Sequence, residues 1–255
     1  MLQAYKLLAK QEGISNNEAK AMIDAGLVSA KGEKIIIARA LISEKTEFKI
    51  TRVEKPKIIF ENDEIIALNK PAFAVSEKIA ENLARNNENI VLLNRLDKET
   101  SGVLLLAKNE EFRQKAINEF KAMRVKKTYF AVLCGILAES LEITLPITTI
   151  KTKSGAISKI DEKNGKSAIT RVEPLMCEGK KTLAKIEIDT GRTHQIRLHL
   201  AHAGLGIYGD AKYAKSTAKR VFLHSYETEI LGLKFRAPLT KDFGAIFELP
   251  SELTH

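Results

Sequence analysis

Residues 94–109 read NRLDKETSGVLLLAKN. The charged triplet Arg95-Leu96-Asp97 leads through Thr100-Ser101-Gly102 into Val103-Leu104-Leu105-Leu106. A short continuous apolar run behind a Ser-Gly breaker reads as a buried strand. Asp97 therefore stands on a loop at the rim of the core, where a carboxylate is costly unless it is paired or hydrogen-bonded. A loop cap on the amides near Thr100 and Ser101 fits the same spacing.

Working outward, Asn109 opens a helix whose apolar residues Phe112, Ala116, Ile117, Phe120 and Met123 recur at helical spacing. Glu64–Leu68, Thr128–Leu133 and Lys185–Asp189 read as strands, the second by its β-branched and aromatic content. His194–Ala203 reads as a helix, and Val221–Leu223 and Ala245–Leu249 as late strands. Residues 138–170 read as polar and irregular, with TTIKTKSGAISK (148–159) a flexible basic arm carrying Lys151 and Lys153. Strands mixed with helices, without a strict strand–helix period, predict an α+β domain: a mixed, largely antiparallel central sheet with flanking helices.

Residues 1–52 form a separate small unit in this reading, and 53–255 the main domain. Leu2–Gln11 is a short helix ended by Gly13. Ser15 and Glu18 have capping-box spacing, in which the hydroxyl accepts from the third amide and the carboxylate from the first. Gly26 stands where a left-handed residue closes the second helix. Leu27-Val28 begins a strand, Lys31-Gly32-Glu33 is a turn, and Ile35-Ile36-Ile37 is expected as a buried strand. VEKPKIIF (53–60) reads as a linker that ends in a strand, Pro56 breaking any helix there.

Composition narrows the class. With 255 residues, 44% hydrophobic and 29% charged, the chain can fold around a core rather than remain disordered. No apolar run reaches the roughly 18 residues of a membrane span, and MLQAYKLLAKQEG (1–13) lacks a signal-peptide core. Cys134 and Cys177 alone build neither a disulfide scaffold nor a four-ligand zinc site, so the reducing cytoplasm is expected. Forty-one basic residues against 32 acidic ones leave +9, which suits a polyanionic partner such as RNA and equally a basic enzyme from a basic proteome.

A second segment, DTGRTHQIRLHLAHAGLGIYGDAKY (189–213), gathers Arg192, His194, Gln195, Arg197, His199 and His202. A metal site from the three histidines is disfavoured: there is no HExxH pattern, and they fall on different helical faces. Arg197 lies between Ile196 and Leu198, so it is expected to be partly buried and to want a carboxylate.

Taken together, these segments resemble the RluA-type RNA pseudouridine synthases through most of residues 60–250. NKPA (69–72), NRLDKETSGVLLLAK, KTYFAVLCG (127–135), GKSAIT (165–170), TGRTHQIRLHL with GDAKY, and FLHSYETEI (222–230) follow the family's motifs in order. Asn94 stands where the family most often has His, and Phe73 where Gly is usual. Residues 6–35, KLLAKQEGISNNEAKAMIDAGLVSAKGEKI, are similar to the alpha-L RNA-binding motif.

The resemblance implies the pseudouridine synthase fold and isomerisation of uridine to pseudouridine within RNA, with no cofactor and no metal. This agrees with a chain lacking dinucleotide and phosphate-loop glycine patterns. It implies Asp97 as the essential acid, Arg197 as its buried partner and Tyr129 as the active-site tyrosine. Arg95, Arg192, His194 and Leu223 become substrate-binding candidates, with Arg95 placed to fill the stack a flipped base vacates. RNA contacts are expected from Lys20, Lys31 and Lys34, beside Asn16 and Asn17, and from Lys151 and Lys153. Ribosomal RNA is favoured over transfer RNA, and a cytoplasmic monomer is expected. The rivals are a non-catalytic RNA-binding or ribosome-assembly protein and a metal-dependent hydrolase.

Overall fold

The computed structural model describes residues 1–152 and 155–254. The chain divides into two compact units, Met1–Glu54 and Lys55–His255.

In the first unit, β1 (Leu2–Gln3), α1 (Ala4–Glu12) and α2 (Asn16–Asp24) precede β2 (Val28–Ala30), β3 (Glu33–Lys34), β4 (Leu41–Ile42) and β5 (Lys49–Ile50). Gly13 ends α1 in the left-handed region at φ +66°. Ser15 and Glu18 form the expected capping box on α2. Ala4, Leu8, Ala19, Ile23 and Val28 make the core. The Ile35–Ile37 expectation fails: only Glu33–Lys34 is strand, and Ile36 and Ile37 are 74% and 61% exposed. β2 already has β3 on one edge and β5 on the other. The chain therefore turns away, with the Ala40 amide donating to the Ile37 carbonyl at 3.0 Å.

The second unit contains β6 (Lys57–Glu61), β7 (Ile65–Lys70), β8 (Val91–Leu92), β9 (Ser101–Ala107), β10 (Lys126–Cys134), β11 (Leu141–Ile143), β12 (Ile147–Thr152), β13 (Gly155–Ile160), β14 (Thr170–Glu178), β15 (Lys181–Ile188), β16 (Leu223–Ile230) and β17 (Leu233–Arg236). Its helices are α3 (Ser76–Ala84), α4 (Glu110–Lys121), α5 (Gln195–His202) and α6 (Lys241–Gly244). A ten-stranded sheet runs β11-β14-β15-β10-β16-β9-β7-β6, with β8 beside β9 and β17 beside β16. Every described pairing is antiparallel except β9 with β16, where Ser101 faces His224 and Gly102 faces Ser225. The α+β, largely antiparallel expectation holds.

Both faces of the central strands are covered, which explains the unbroken VLLLA run. In β9, Leu104 and Leu106 join one core with Leu68, Tyr129 and Ile196. Val103, Leu105 and Ala107 join a second core with Phe112 and Ala116 of α4. Gly102 has φ +112°, and a Cβ there would collide with the Ser225 carbonyl. Glycine is what allows the parallel β9–β16 approach.

Three further expectations need correction. Residues 138–170 are not irregular: β12 and β13 form an antiparallel hairpin from Ile147↔Ile160 to Thr152↔Gly155. Lys153 lies outside the described residues, and of Lys151 only the backbone, in β12, is described. Ala245–Leu249 is not a strand: the Ile246 and Phe247 amides both bond the Phe243 carbonyl, a helical turn that buries Phe243 and Phe247. The late strand begins at Leu223 rather than Val221.

Candidate active site

The loop bearing Asp97 is clamped from both sides. The Ser76 hydroxyl donates to the Leu96 carbonyl at 3.1 Å and accepts from the Leu96 amide at 3.3 Å. Just past the acid, the Lys98 carbonyl accepts from the Phe73 amide at 2.7 Å and from Lys70 Nζ at 3.2 Å. Lys70, fully buried, also donates to the carbonyls of Pro71 and Ala74 at 3.0 and 2.8 Å. Burial pulls its pKa down to about 7. Phe73 takes a left-handed backbone, φ +68°, the region that favours glycine. Asn94 binds β9 itself, accepting from the Leu105 amide at 2.7 Å and donating to the Val103 carbonyl at 3.3 Å. Its amide thus holds the start of the loop to the strand.

The partner comes from residues 189–213. Gln195, buried, accepts from the Arg192 amide and the Thr190 hydroxyl at 3.0 and 2.8 Å and donates to the Ile169 carbonyl at 2.9 Å. This fixes the start of α5, from which Arg197 points back into the core. Arg197 Nη1 donates to Asp97 Oδ2 at 3.1 Å. Its Nε and Nη2 donate to the two carboxylate oxygens of Asp210 at 2.7 and 2.9 Å, a two-pronged pairing. Burial opposes the Arg197 charge, but Asp210 and then Asp97 outweigh it and raise its pKa. Burial alone would raise Asp210, yet Arg197 and the amides of Tyr213 and Lys212 leave that carboxyl below its ordinary value. Asp210 is fully buried, whereas the Asp97 side chain keeps 24% of its surface.

Tyr129 lies on the same face of the sheet as α5, in one apolar cluster with Leu96, Ile196 and Leu223. Burial pushes its phenol up to about 12, against the smaller opposite pull of the Ser225 hydroxyl. Ser225 stands opposite Tyr129 across the β10–β16 register. His194 Nε2 stands 3.9 Å from Asp97 Oδ2. The acid, guanidinium, tyrosine and imidazole named from the sequence are therefore brought together at one apolar wall.

The RNA pseudouridylate synthase family model matches residues 64–202. An uncharacterised RNA pseudouridine synthase of Helicobacter pylori strain J99 is 49% identical over 246 residues, covering 95% of this chain and 99% of that one. This chain belongs to the RNA pseudouridine synthase family. Such an enzyme is an isomerase that converts uridine in RNA to pseudouridine. The ribosomal large subunit pseudouridine synthase C of Rickettsia conorii is 33% identical, over 85% of this chain and 80% of the relative. The fold is also that of human RNA pseudouridylate synthase domain containing 1, with TM-score 0.65 and 22% identity over 78% of this chain and 89% of that one.

Other candidates lie apart from the synthase's Asp97 cluster or serve the scaffold. Arg95 is exposed and pairs with Glu77, Nε to Oε1 2.8 Å. Arg192 Nε donates to the Ser167 carbonyl at 3.0 Å. Leu223 is core, at 4% exposure. His199 is buried with its two nitrogens on Thr170 Oγ1 and the Leu145 carbonyl at 2.9 and 2.8 Å. Among the described residues no cluster of three or more His, Cys, Asp or Glu could hold a metal ion, and no helix could cross a membrane. In the first unit, Lys31 is exposed in its turn, Lys34 is half-buried in β3, and Lys20 stands 4.4 Å from the Tyr5 ring centre.

Sequence reasoning passed over Asp210, Tyr213 and Lys70, although each fell inside a quoted motif. Asp210 carries a usable signal, since an arginine as deeply buried as Arg197 needs more charge than one rim carboxylate offers.

Proposed function

We propose that this synthase modifies large-subunit ribosomal RNA, with Asp97 as its essential acid. The observation that carries the assignment is the Arg197–Asp97 contact at 3.1 Å beside the buried Tyr129. Arg197 is held in turn by Asp210, so its charge faces Asp97 in a fixed direction. A uridine within a folded stem must be flipped out to reach the acid, at a cost of a few kcal/mol. Tyr129 then stacks on the uracil. The carboxylate assists as the C1′–N1 bond breaks, by attack on carbon or by stabilising positive charge. The base turns, C5 bonds to C1′, the C5 proton leaves and N1 gains one, so no redox partner is consumed.

The choice of ribosomal RNA is supported by the name of the Rickettsia relative. It is further supported by the +9 charge and by a first unit whose capped helix and hairpin resemble the alpha-L motif. Lys20, Lys31 and Lys34, with Lys151 and Lys153 of the basic segment 148–159, supply phosphate contacts in this reading. Arg95 exchanges Glu77 for the vacated stack, and Arg192 meets a phosphate. The enzyme acts as a cytoplasmic monomer. Tritium release from C5-tritiated uridine, followed by pseudouridine mapping, tests this on unmodified transcripts of bacterial large-subunit ribosomal RNA and of transfer RNAs. Release from the ribosomal transcript is expected. Release from the transfer RNAs alone would overturn the substrate assignment and leave the chemistry standing.

A further inference from the structure

His194 is the N-cap of α5 with φ +55° and ψ +21°, a left-handed backbone at a residue that carries a Cβ. Such a conformation costs on the order of 1–3 kcal/mol and persists where its surroundings impose it. Here it turns the chain into the helix, the Leu198 amide donating to the His194 carbonyl at 2.9 Å. It also sets the imidazole between two groups of different kinds. Nδ1 is 2.8 Å from the Tyr213 hydroxyl, and Nε2 is 3.9 Å from Asp97 Oδ2.

The hydrogen bonds around Tyr213 favour one tautomer of His194. The Tyr213 oxygen accepts from the Ser158 amide at 3.0 Å. Ser158 is itself tied to the same loop, its hydroxyl donating to the Thr193 carbonyl at 2.7 Å. With one lone pair taken by that amide, the phenol can still donate its proton to Nδ1, and in that arrangement the imidazole N–H lies on Nε2, facing Asp97. Burial lowers the imidazole pKa in this company of Asp97, Arg197, Lys212 and Asp210, so the ring is neutral near pH 7.

A donor and a carboxylate acceptor 3.9 Å apart are too distant to bond each other. One group satisfies both by accepting from the first and donating to the second, and that group is a hydroxyl. We propose that His194 Nε2–H and Asp97 Oδ2 together bind the 2′-hydroxyl of the flipped nucleotide, and that Tyr213 is a positioning residue that holds His194 in the required tautomer. The pair selects a ribonucleotide over a deoxyribonucleotide, because the 2′-hydroxyl is what distinguishes them. No proton is transferred by His194, and the isomerisation balance is unchanged. The proposal rests on Asp97 being the essential acid.

The test is a cycle between protein and substrate. Tritium-release rates are compared for ribosomal transcripts carrying uridine or 2′-deoxyuridine at the mapped target, with wild-type enzyme and with His194→Asn. Asparagine tolerates the left-handed backbone but is too short to present the distant N–H. Removal of the 2′-hydroxyl is expected to penalise the wild type about 100-fold more than His194→Asn. Tyr213→Phe should erase part of the same discrimination. Nitrogen-15 spectra of the wild type should show His194 as the Nε2–H tautomer. Equal penalties in both proteins, or an Nδ1–H tautomer, would overturn the proposal. Failure of the acid assignment is separate: it would show as full activity in Asp97→Asn, while the spectra still report the His194–Tyr213 pair.

Discussion

Asp97 and Ser101 are four positions apart on the chain, and each belongs to a buried polar network, but the two networks end differently. Around Ser101 each polar side chain meets partners within the protein. Its hydroxyl accepts from Arg220 Nη2 at 2.6 Å and donates to His224 Nδ1 at 2.7 Å. His224 Nε2 donates to the Ala237 carbonyl at 2.9 Å, which can only accept and so fixes the tautomer. Arg220 also donates to the Val221 and Leu223 carbonyls, both at 3.1 Å, and its Nη1 lies 3.7 Å from Asp242 Oδ2. Around Asp97 the network stops at a carboxylate that keeps part of its surface, beside a histidine too far to bond it. A saturated network holds strands together, whereas a network that ends on an open charged group can act on something brought to it.

That contrast can be broken experimentally, and the largest effect is expected at the open end. Asp97→Asn should abolish tritium release while leaving RNA affinity and the unfolding midpoint unchanged. A loss of stability instead would make Asp97 a scaffold residue like Ser101. Next comes Asp210→Ala, which strands the buried Arg197 without its principal partner. It should lower unfolding free energy by about 3–5 kcal/mol in urea titrations, and a wild-type midpoint would mean that Asp97 alone suffices to hold the guanidinium.

The closed network should respond to pH. Burial first, with Arg220 nearby, lowers the His224 pKa from 6.5 to about 4. Between those values the unfolded chain binds the proton and the folded one does not. Stability should therefore fall as pH drops from about 6.5 towards 4, by at most roughly 3 kcal/mol from this group. His224→Gln should flatten that part of the stability profile. An unchanged slope would place the acid sensitivity elsewhere. The smallest effect belongs to the first unit. Replacing Lys20, Lys31 and Lys34 by Ala should reduce the salt dependence of RNA binding by about two to three in log–log slope, with the rate on bound RNA unaffected.

Much of this architecture could be read from local pattern. The capping box at Ser15 and Glu18, the Asn109 cap of α4 and the apolar run of β9 each declare themselves within a few residues. At the site, the residues alone showed an acid at the core rim and an arginine between apolar neighbours in want of a carboxylate; that the two meet was implied by the family resemblance, and they do, at 3.1 Å. Ile35–Ile37 misled because apolar content was read without asking which sheet edge remained for it. Ala245–Leu249 misled because a helical turn buries its aromatics as well as a strand would. The β12–β13 hairpin was hidden by its polar surface. The setting of His194 was beyond reach, since its ring meets the Tyr213 hydroxyl and that hydroxyl in turn meets the Ser158 amide.

The parallel meeting of β9 with β16 joins residue 101 to residue 224, and β16 is also what connects β9 to β10 in the sheet. A nascent chain has no such bridge until residues 223–230 have left the ribosome. Until then Tyr129 and the acid loop belong to separate fragments. Long-range closure of this kind slows folding, and here it also means that the acid loop and Tyr129 share one sheet only once β16 has been inserted between their strands.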